Sequence, residues 1–392
     1  MVVVQRHGVR SPTKAPEALA KYAALPWPAW PVAPGELTAH GARDVRLMGA
    51  WLRQVYAAKG LLPAKGCPAP GQVFAWADGA DQRTRVSGDA VLEGAFPGCG
   101  LSAAHGPEGQ ADPLFDAVSS GACPIDADLA RAAVLARVRD DLEHPGPGYE
   151  AAKAALSQIV APGVACKDDQ GVCAMNGHNS LRVQDGTLKL DGPLAVGATL
   201  SENLLLEYAQ GMPSGSVGWG RAADGAAIAS VMPLHEIQSD LMRRTPYLAS
   251  HNGALLARAV ADAVDGRTPL TGEGAAAPRL LIIAGHDTNL ANLAGILGLD
   301  WTLPGQPDST PPSLAMAFEV WRDPASGARF VKIALIYQTL EQLRAETVLD
   351  AAHPAGRVEP VLTGCQEGPG KICPAPRLRA VIEAVVPPAC HR

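Results

Sequence analysis

Aromatic residues are scarce in this chain, at 5% of the sequence. Positive charge is not in excess either: 33 lysines and arginines stand against 39 aspartates and glutamates, a formal net charge of -6. Without a basic face the chain lacks the electrostatic footprint of nucleic-acid binding. Long apolar runs are missing as well. The stretch ALPWPAWPVAPG is broken by prolines, so no membrane span and no membrane partner are expected. MVVVQR has no basic start, no long apolar run and no small-residue cleavage site, so no signal peptide is legible. No CxxC occurs, and the histidines do not fall at zinc-like distances from the cysteines. Neither a metal nor a cofactor is expected.

What is present sets broad bounds. A chain of 392 residues buries a large core and suggests two domains, or one with a substantial insertion. With 47% hydrophobic and 18% charged residues, its composition is that of an ordinary globular protein. Alanine is abundant, which predicts helices around any sheet. Eight cysteines, an even number, stand at 67, 99, 123, 166, 173, 365, 373 and 390. Disulfides, and with them an oxidising compartment, are the favoured reading over unrelated buried thiols. Cys166 with Cys173, and Cys365 with Cys373, are close enough to close short surface loops. By counting alone, on the order of a hundred pairings stay open.

The order of elements predicts an α/β fold. VVVQ is β-branched and runs into a glycine-containing turn, as a short buried strand does. From Thr38 the apolar residues Val45, Met48, Leu52 and Val55 recur at helical spacing, with Gly60 as a stop. QVFAWAD (72–78) predicts a second strand with a helix soon after it. RLLIIAGHD (279–287) and TNLANLAGILG (288–298) repeat that pattern, and VKIALIYQ (331–338) predicts a further strand. Between 123 and 245 the chain reads as mostly helical, with helices expected at 127–144, 149–160, 201–211 and around HEIQSDLMRRTPY. Another helix, 251–266, returns to the core. The expectation is an α/β sandwich core in two parts, 1–122 and 246–392, with a mainly helical insertion over 123–245 walling the substrate pocket.

Ligands of open α/β sheets collect beyond the C-terminal ends of strands. Arg6 and His7 follow VVVQ, Arg83 and Arg85 follow QVFAWAD, and His286 and Asp287 follow LLIIAG. Arg6, Arg10 and Lys14 make a local positive site in an acidic chain, which suits a small, strongly anionic ligand. Guanidinium forks match phosphate oxygens. Like charge keeps a nearby imidazole neutral, so His7 can attack phosphorus and form a phosphohistidine. The leaving alcohol then needs a proton, and Asp287 is placed to donate it. With several arginines neutralising the phosphoryl group, this chemistry needs no metal. Asp287 equally suits the N-cap of the helix 288–298, a role compatible with phosphate binding at a helix start.

RHGVRSPTK, DQRTR, AQGMP, GWGR, RRTP, AGHDTNLANLAG and DWTLPGQPD together resemble the histidine acid phosphatases over nearly the whole chain. This is the branch of the histidine phosphatase superfamily that holds phytases and glucose-1-phosphatases, and the likeness leans toward the bacterial periplasmic phytases. The resemblance implies His7 as nucleophile, Asp287 as proton donor, and Arg6, Arg10, Arg83 and His286 as phosphate contacts. It adds Thr13, Lys14, Asp78, Glu202 and Arg244 as contributors to the wider pocket. It also implies the disulfides Cys67–Cys99, Cys123–Cys390, Cys166–Cys173 and Cys365–Cys373, and a periplasmic or secreted protein. One departure stands out: WADGADQRTR has an extra residue ahead of the arginine, which loosens the assignment of Asp78 more than that of Arg83.

Phytate carries several phosphates, which Lys14 and Arg244 suit; a sugar with one phosphate would not need both. Lys14 with the threonine of HDTN also leans the resemblance toward the phytases rather than the glucose-1-phosphatases. The expected partner is therefore a small anionic phosphomonoester, principally phytate, and the protein is expected to be a monomer. The alternatives are a broad acid phosphatase or glucose-1-phosphatase and, outside enzymes, a binder of inositol polyphosphates.

Overall fold

The computed structural model describes residues 1–267, 270–271, 276–362, 364–365 and 372–390. Its sheet strands are β1 (Val2–Arg6), β2 (Val73–Ala77) and β3 (Ala104–His105). A separate hairpin joins β4 (Ser180–Gln184) to β5 (Thr187–Asp191). The main sheet resumes with β6 (Leu280–Gly285), β7 (Ala315–Arg322), β8 (Arg329–Tyr337), β9 (Gly356–Val358) and β10 (Cys373–Pro374). Spatial order is β10-β8-β7-β1-β6-β2-β3, with β9 also paired to β8. β1, β6, β2 and β3 run parallel, and β7 and β8 continue the sheet antiparallel.

Side-chain alternation along the central strands builds two cores. Val2, Val4, Leu281 and Ile283 face one side, packed with Leu256 and Val260 of helix Ala254–Val264 and Leu290 and Leu293 of helix Asp287–Leu297. Val3, Ala75, Ala77, Leu280 and Ile282 face the other. Helices Ala39–Ala58 and Gln82–Ala95 cover this second face with Val45, Met48, Leu52, Val91 and Leu92. The result is the expected α/β sandwich. A third core lies off the sheet, built around Leu156, Leu194, Leu204, Leu205, Ile228, Leu234 and Leu241 and joined by Val9, Leu19, Leu340 and Leu343.

Within 123–245 the helices are Ala127–Arg137, Tyr149–Val160, Pro193–Ala209, Gly225–Val231 and Pro233–Arg243. The helix expected to reach 144 stops at Arg137, since Arg139 and Asp140 take positive φ. The hairpin β4–β5 is not helical, and its sequence carries the signal: SLRVQDGTLKLD alternates around Asp185-Gly186, both at positive φ. Strand β7, reading AMAFEVWR, was not anticipated either.

Register does the positioning. Parallel pairing sets Arg6 beside Gly285 and Ala77 beside Ala284. The backbone N–H of His7 donates to Gly285 O at 2.9 Å, and that of Asp78 to Ala284 O at 3.0 Å. Three strand exits therefore open at one level. The turn after β1 is pressed against helix Ala39–Ala58: a Cβ on Gly8 would lie 2.5 Å from Gly41 O, and one on Gly41 2.1 Å from Val9 O. Only glycine permits that approach.

All eight cysteines are joined, as Cys67–Cys99, Cys123–Cys390, Cys166–Cys173 and Cys365–Cys373. Cys123–Cys390 ties the start of the helical segment to the end of the chain across 267 residues. Among the described residues no helix is long and apolar enough to cross a membrane.

One buried acid makes stability depend on pH. Glu207 has no exposed surface; one carboxyl oxygen accepts from Gly218 N at 3.0 Å and the other has no partner among the described residues. Burial pushes this carboxyl up to about 8 from an ordinary 4.5. The folded state thus keeps a proton that the unfolded chain gives up above 4.5. The group's contribution is fully present below the lower value and is lost as pH rises through the upper one, on the order of 1 kcal/mol per pH unit. Glu207→Gln is expected to melt close to the parent in acid and to gain on it steadily toward neutral pH. A melting-temperature difference that does not change with pH would refute this.

Candidate active site

The strand exits open into a cleft of about 300 Å³ whose lining includes His7, Arg10, Asp78, Asp81, Arg83, Asp112, His286 and Asp287. His7 is 1% exposed at its floor. Its Nδ1 lies 2.8 Å from Gly8 O, and because a carbonyl can only accept, Nδ1 carries the proton and Nε2 presents a lone pair. Burial, followed by the charges of Arg6, Arg83 and Arg10, holds the imidazole well below its ordinary 6.5. The His286 ring stands edge-on to His7, with centroids 5.6 Å apart.

Arg6 lies beneath the cleft with no exposed surface. It donates to Asp308 at 2.9 Å, to Glu202 at 2.6 Å and to Thr310 O. The second oxygen of Glu202 accepts from Arg10 at 3.0 Å, so one carboxylate aligns both arginines of the RHGVR segment. Burial alone would raise the Glu202 carboxyl, but Arg10 and Arg6 hold it well below the usual range.

Asp287 is the first residue of its helix and not the cap. The N-cap is His286, whose backbone N–H donates to Asn289 Oδ1 at 2.8 Å. The Asp287 carboxylate instead pairs with Arg243. Burial pushes its carboxyl up, yet Arg243, then Arg6, outweigh that and keep it well below the carboxylate range.

The outer residues divide. Asp78 accepts from His286 Nε2 at 2.9 Å, inside the cleft. Thr13 and Lys14 are exposed, and Lys14 lines a neighbouring groove of about 200 Å³ with Trp27 and Trp30. Arg244 turns away from the reacting groups: it donates to Leu299 O at 2.5 Å and Asp300 at 3.1 Å and lies over the Trp301 ring. Arg243, its neighbour in RRTP, is the one that meets Asp287. The motif shows two arginines side by side; which of them faces inward depends on where helix Pro233–Arg243 ends. Sequence reasoning also missed Asp308, Asp81 and His235. Only tertiary contact reveals them, although Asp308 lies inside the DWTLPGQPD motif and Asp81 inside DQRTR.

Among the described residues three groupings have ligand atoms within 4.8 Å of one another: Asp78, Asp81 and His286; Glu202, His235 and Asp287; and His235, Glu236 and Asp308. In each grouping at least one carboxylate already serves a guanidinium: Asp81 serves Arg83, Glu202 serves Arg6 and Arg10, Asp287 serves Arg243, and Asp308 serves Arg6. A cation placed there would meet those positive charges. The arrangement is suited to an anion with several oxygens, held against a neutral imidazole with a carboxyl group opposite.

Residues 1–335 match the family model described as histidine phosphatase superfamily (branch 2). Phytase AppA of Escherichia coli (strain K12) is 35% identical over 402 aligned positions, covering 100% of this chain and 92% of that protein. A glucose-1-phosphatase of Salmonella typhimurium (strain LT2) is 29% identical over 380, covering 95% and 89%. Hafnia alvei phytase, solved in complex with myo-inositol hexakis sulphate, superposes with a TM-score of 0.90 at 37% identity, covering 100% of this chain and 97% of that one.

The shifts set a pH profile. The acid limb of kcat/KM is expected well below the ordinary 6.5 of histidine, since His7 stays unprotonated into the acid range. Arg243→Gln removes the main charge lowering Asp287, so the alkaline limb of kcat on an alkyl phosphate should move up by about 1–3 pH units. An unmoved limb would separate Arg243 from the titration of Asp287.

Proposed function

The chain belongs to the histidine phosphatase superfamily, branch 2, and we propose that, as a phosphomonoester hydrolase of the phytase-like kind, it acts principally on phytate, removing phosphates stepwise. The observation that carries the catalytic reading is the state of His7: buried, with its tautomer fixed, held toward the neutral form, and lining one cleft with Arg10 and Arg83.

In this reading His7 Nε2 attacks phosphorus. The ester P–O bond breaks as the P–N bond forms, and the departing alkoxide takes its proton from Asp287. Water then attacks the phosphohistidine and gives a proton to Asp287; the P–N bond breaks and phosphate leaves. Arg6, Arg10, Arg83 and His286 take the phosphoryl oxygens, and their charge offsets the charge that develops in transfer. Asp78 orients His286, Glu202 aligns Arg6 and Arg10, and Arg243 serves Asp287.

Phytate is supported by the Escherichia coli and Hafnia alvei phytases, 35% and 37% identical to this chain against 29% for the Salmonella glucose-1-phosphatase. The exposed Lys14, free to meet phosphates that are not being cleaved, supports it too. Glucose-1-phosphatase activity is the second reading, favoured by the 29% identical relative. A pure binder of inositol polyphosphates would have no use for Asp287 beside the phosphoryl site. Four disulfides support a periplasmic or secreted location.

Turnover of phytate, glucose 1-phosphate and p-nitrophenyl phosphate, with chelator present throughout, tests the substrate; phytate is expected to lead in kcat/KM. His7→Ala should fold and lose essentially all turnover. Asp287→Asn should still bind phosphate and lose about 10²–10⁴ in rate on phytate but far less on p-nitrophenyl phosphate, whose leaving group departs unaided. A small, equal loss on both substrates would remove Asp287 from the acid role.

A further inference from the structure

Both terminal nitrogens of Arg83 are held within the protein. They donate to the two carboxylate oxygens of Asp81, at 2.8 and 2.7 Å. The same Asp81 carboxylate reaches to 3.4 Å from His286 Nε2 and lines the cleft. A pair of anionic oxygens across a guanidinium fork, next to an imidazole nitrogen, is the arrangement that two phosphoryl oxygens would make.

Asp81 also stands where its side chain has other work available. It is the N-cap residue of the 14-residue helix Gln82–Ala95, with extended backbone at φ -116 and ψ 133, yet its carboxylate makes no capping bond. An aspartate at this position ordinarily accepts from the helix amides two and three residues on, a bond worth roughly 1 kcal/mol. The backbone is fixed independently, because the Thr84 hydroxyl lies 2.7 Å from both Asp78 O and Asp81 O and shares its one proton between them. The side chain is about one-third exposed and so has room to turn.

We propose that Asp81 is an internal phosphate mimic: its carboxylate occupies Arg83 and faces His286, and swings to cap helix Gln82–Ala95 when a phosphoryl group arrives. Binding then exchanges one anion for another on Arg83, and the helix amides receive the displaced carboxylate. The exchange weakens the site's hold on inorganic phosphate and favours release of the product. Asp81 acts here through Arg83 and is a positioning residue. The extra residue in WADGADQRTR lies in the loop that carries it.

This inference rests on the phosphomonoester reading of the site and is independent of phytate. Inorganic phosphate is titrated calorimetrically into the parent, Asp81→Asn and Asp81→Ala, and is also measured as an inhibitor of p-nitrophenyl phosphate hydrolysis. Asparagine can still cap the helix, and alanine cannot. Both variants are expected to bind phosphate about tenfold more tightly, because Arg83 is released in each. KM should fall with the inhibition constant, a change that a structural role would not produce. Unchanged or weaker phosphate binding in both variants overturns the proposal and leaves Asp81 as a residue that orients Arg83. Failure of the parent itself to bind phosphate would overturn the reading of the site along with it.

Discussion

A guanidinium with no exposed surface has to be matched by carboxylates, or the fold cannot hold it. Arg6 imposes that constraint here. It ends β1, the strand between β6 and β7, and its partners come from far apart in the chain. Glu202 arrives on helix Pro193–Ala209, and Asp308 on the loop before β7. The off-sheet helices and the sheet are therefore joined by charge at the floor of the cleft, and Glu202 reaches on from Arg6 to Arg10. Removing one partner would leave a buried charge unmatched, a loss on the order of several kcal/mol. That is reason enough for acidic residues to crowd a site meant for anions.

The consequence is a cleft in balance before substrate enters. Arg6, Arg10, Arg83 and Arg243 each have a carboxylate partner within the protein. Affinity for a phosphoryl group is then a difference between two sets of ion pairs, and it is modest by construction. A hydrolase that must release phosphate after every turnover gains from such moderation, since tight binding of the product lowers kcat. The pairs differ in depth. Arg6 with Asp308 is sealed, whereas Arg83 with Asp81 lies at the surface of the cleft, where exchange is feasible.

The parallel core and its three charged strand exits were legible in the sequence because they depend on local signals. β-branched runs mark the strands, and register does the rest: Arg6 pairs with Gly285, so His7 and His286 become neighbours without further instruction. The cap at the start of helix Asp287–Leu297 was misplaced by one residue, since a histidine and an aspartate in sequence both satisfy the local pattern. Arg243 and Arg244 were confused for a related reason. Adjacent residues at a helix end differ by about 100° in direction, and only tertiary packing decides which one faces the site. Hairpin β4–β5 was overlooked among alanine-rich helices although Asp185-Gly186 marks its turn. Asp81 and Asp308 could not have been assigned at all, because nothing local tells a carboxylate that serves an arginine from one that serves solvent.

The arginines bend the two proposed reacting groups in the same direction. They lower His7 and they lower Asp287. For a nucleophile this is useful in acid, since the lone pair survives where free histidine would be protonated. For a proton donor it works the wrong way: an acid held well below its ordinary value by Arg243 and Arg6 is ionised. The conflict is settled by the substrate. A phosphoryl group brings negative charge against the same guanidiniums, offsets their field and raises both groups together. In the proposed mechanism Asp287 can then take up the proton it delivers, while His7 attacks phosphorus through Nε2. Pairs of catalytic groups are often tuned by fixed surroundings; in the proposed mechanism the tuning comes with binding. On this proposal the acid is armed only in the complex, which ties proton delivery to the presence of something to protonate.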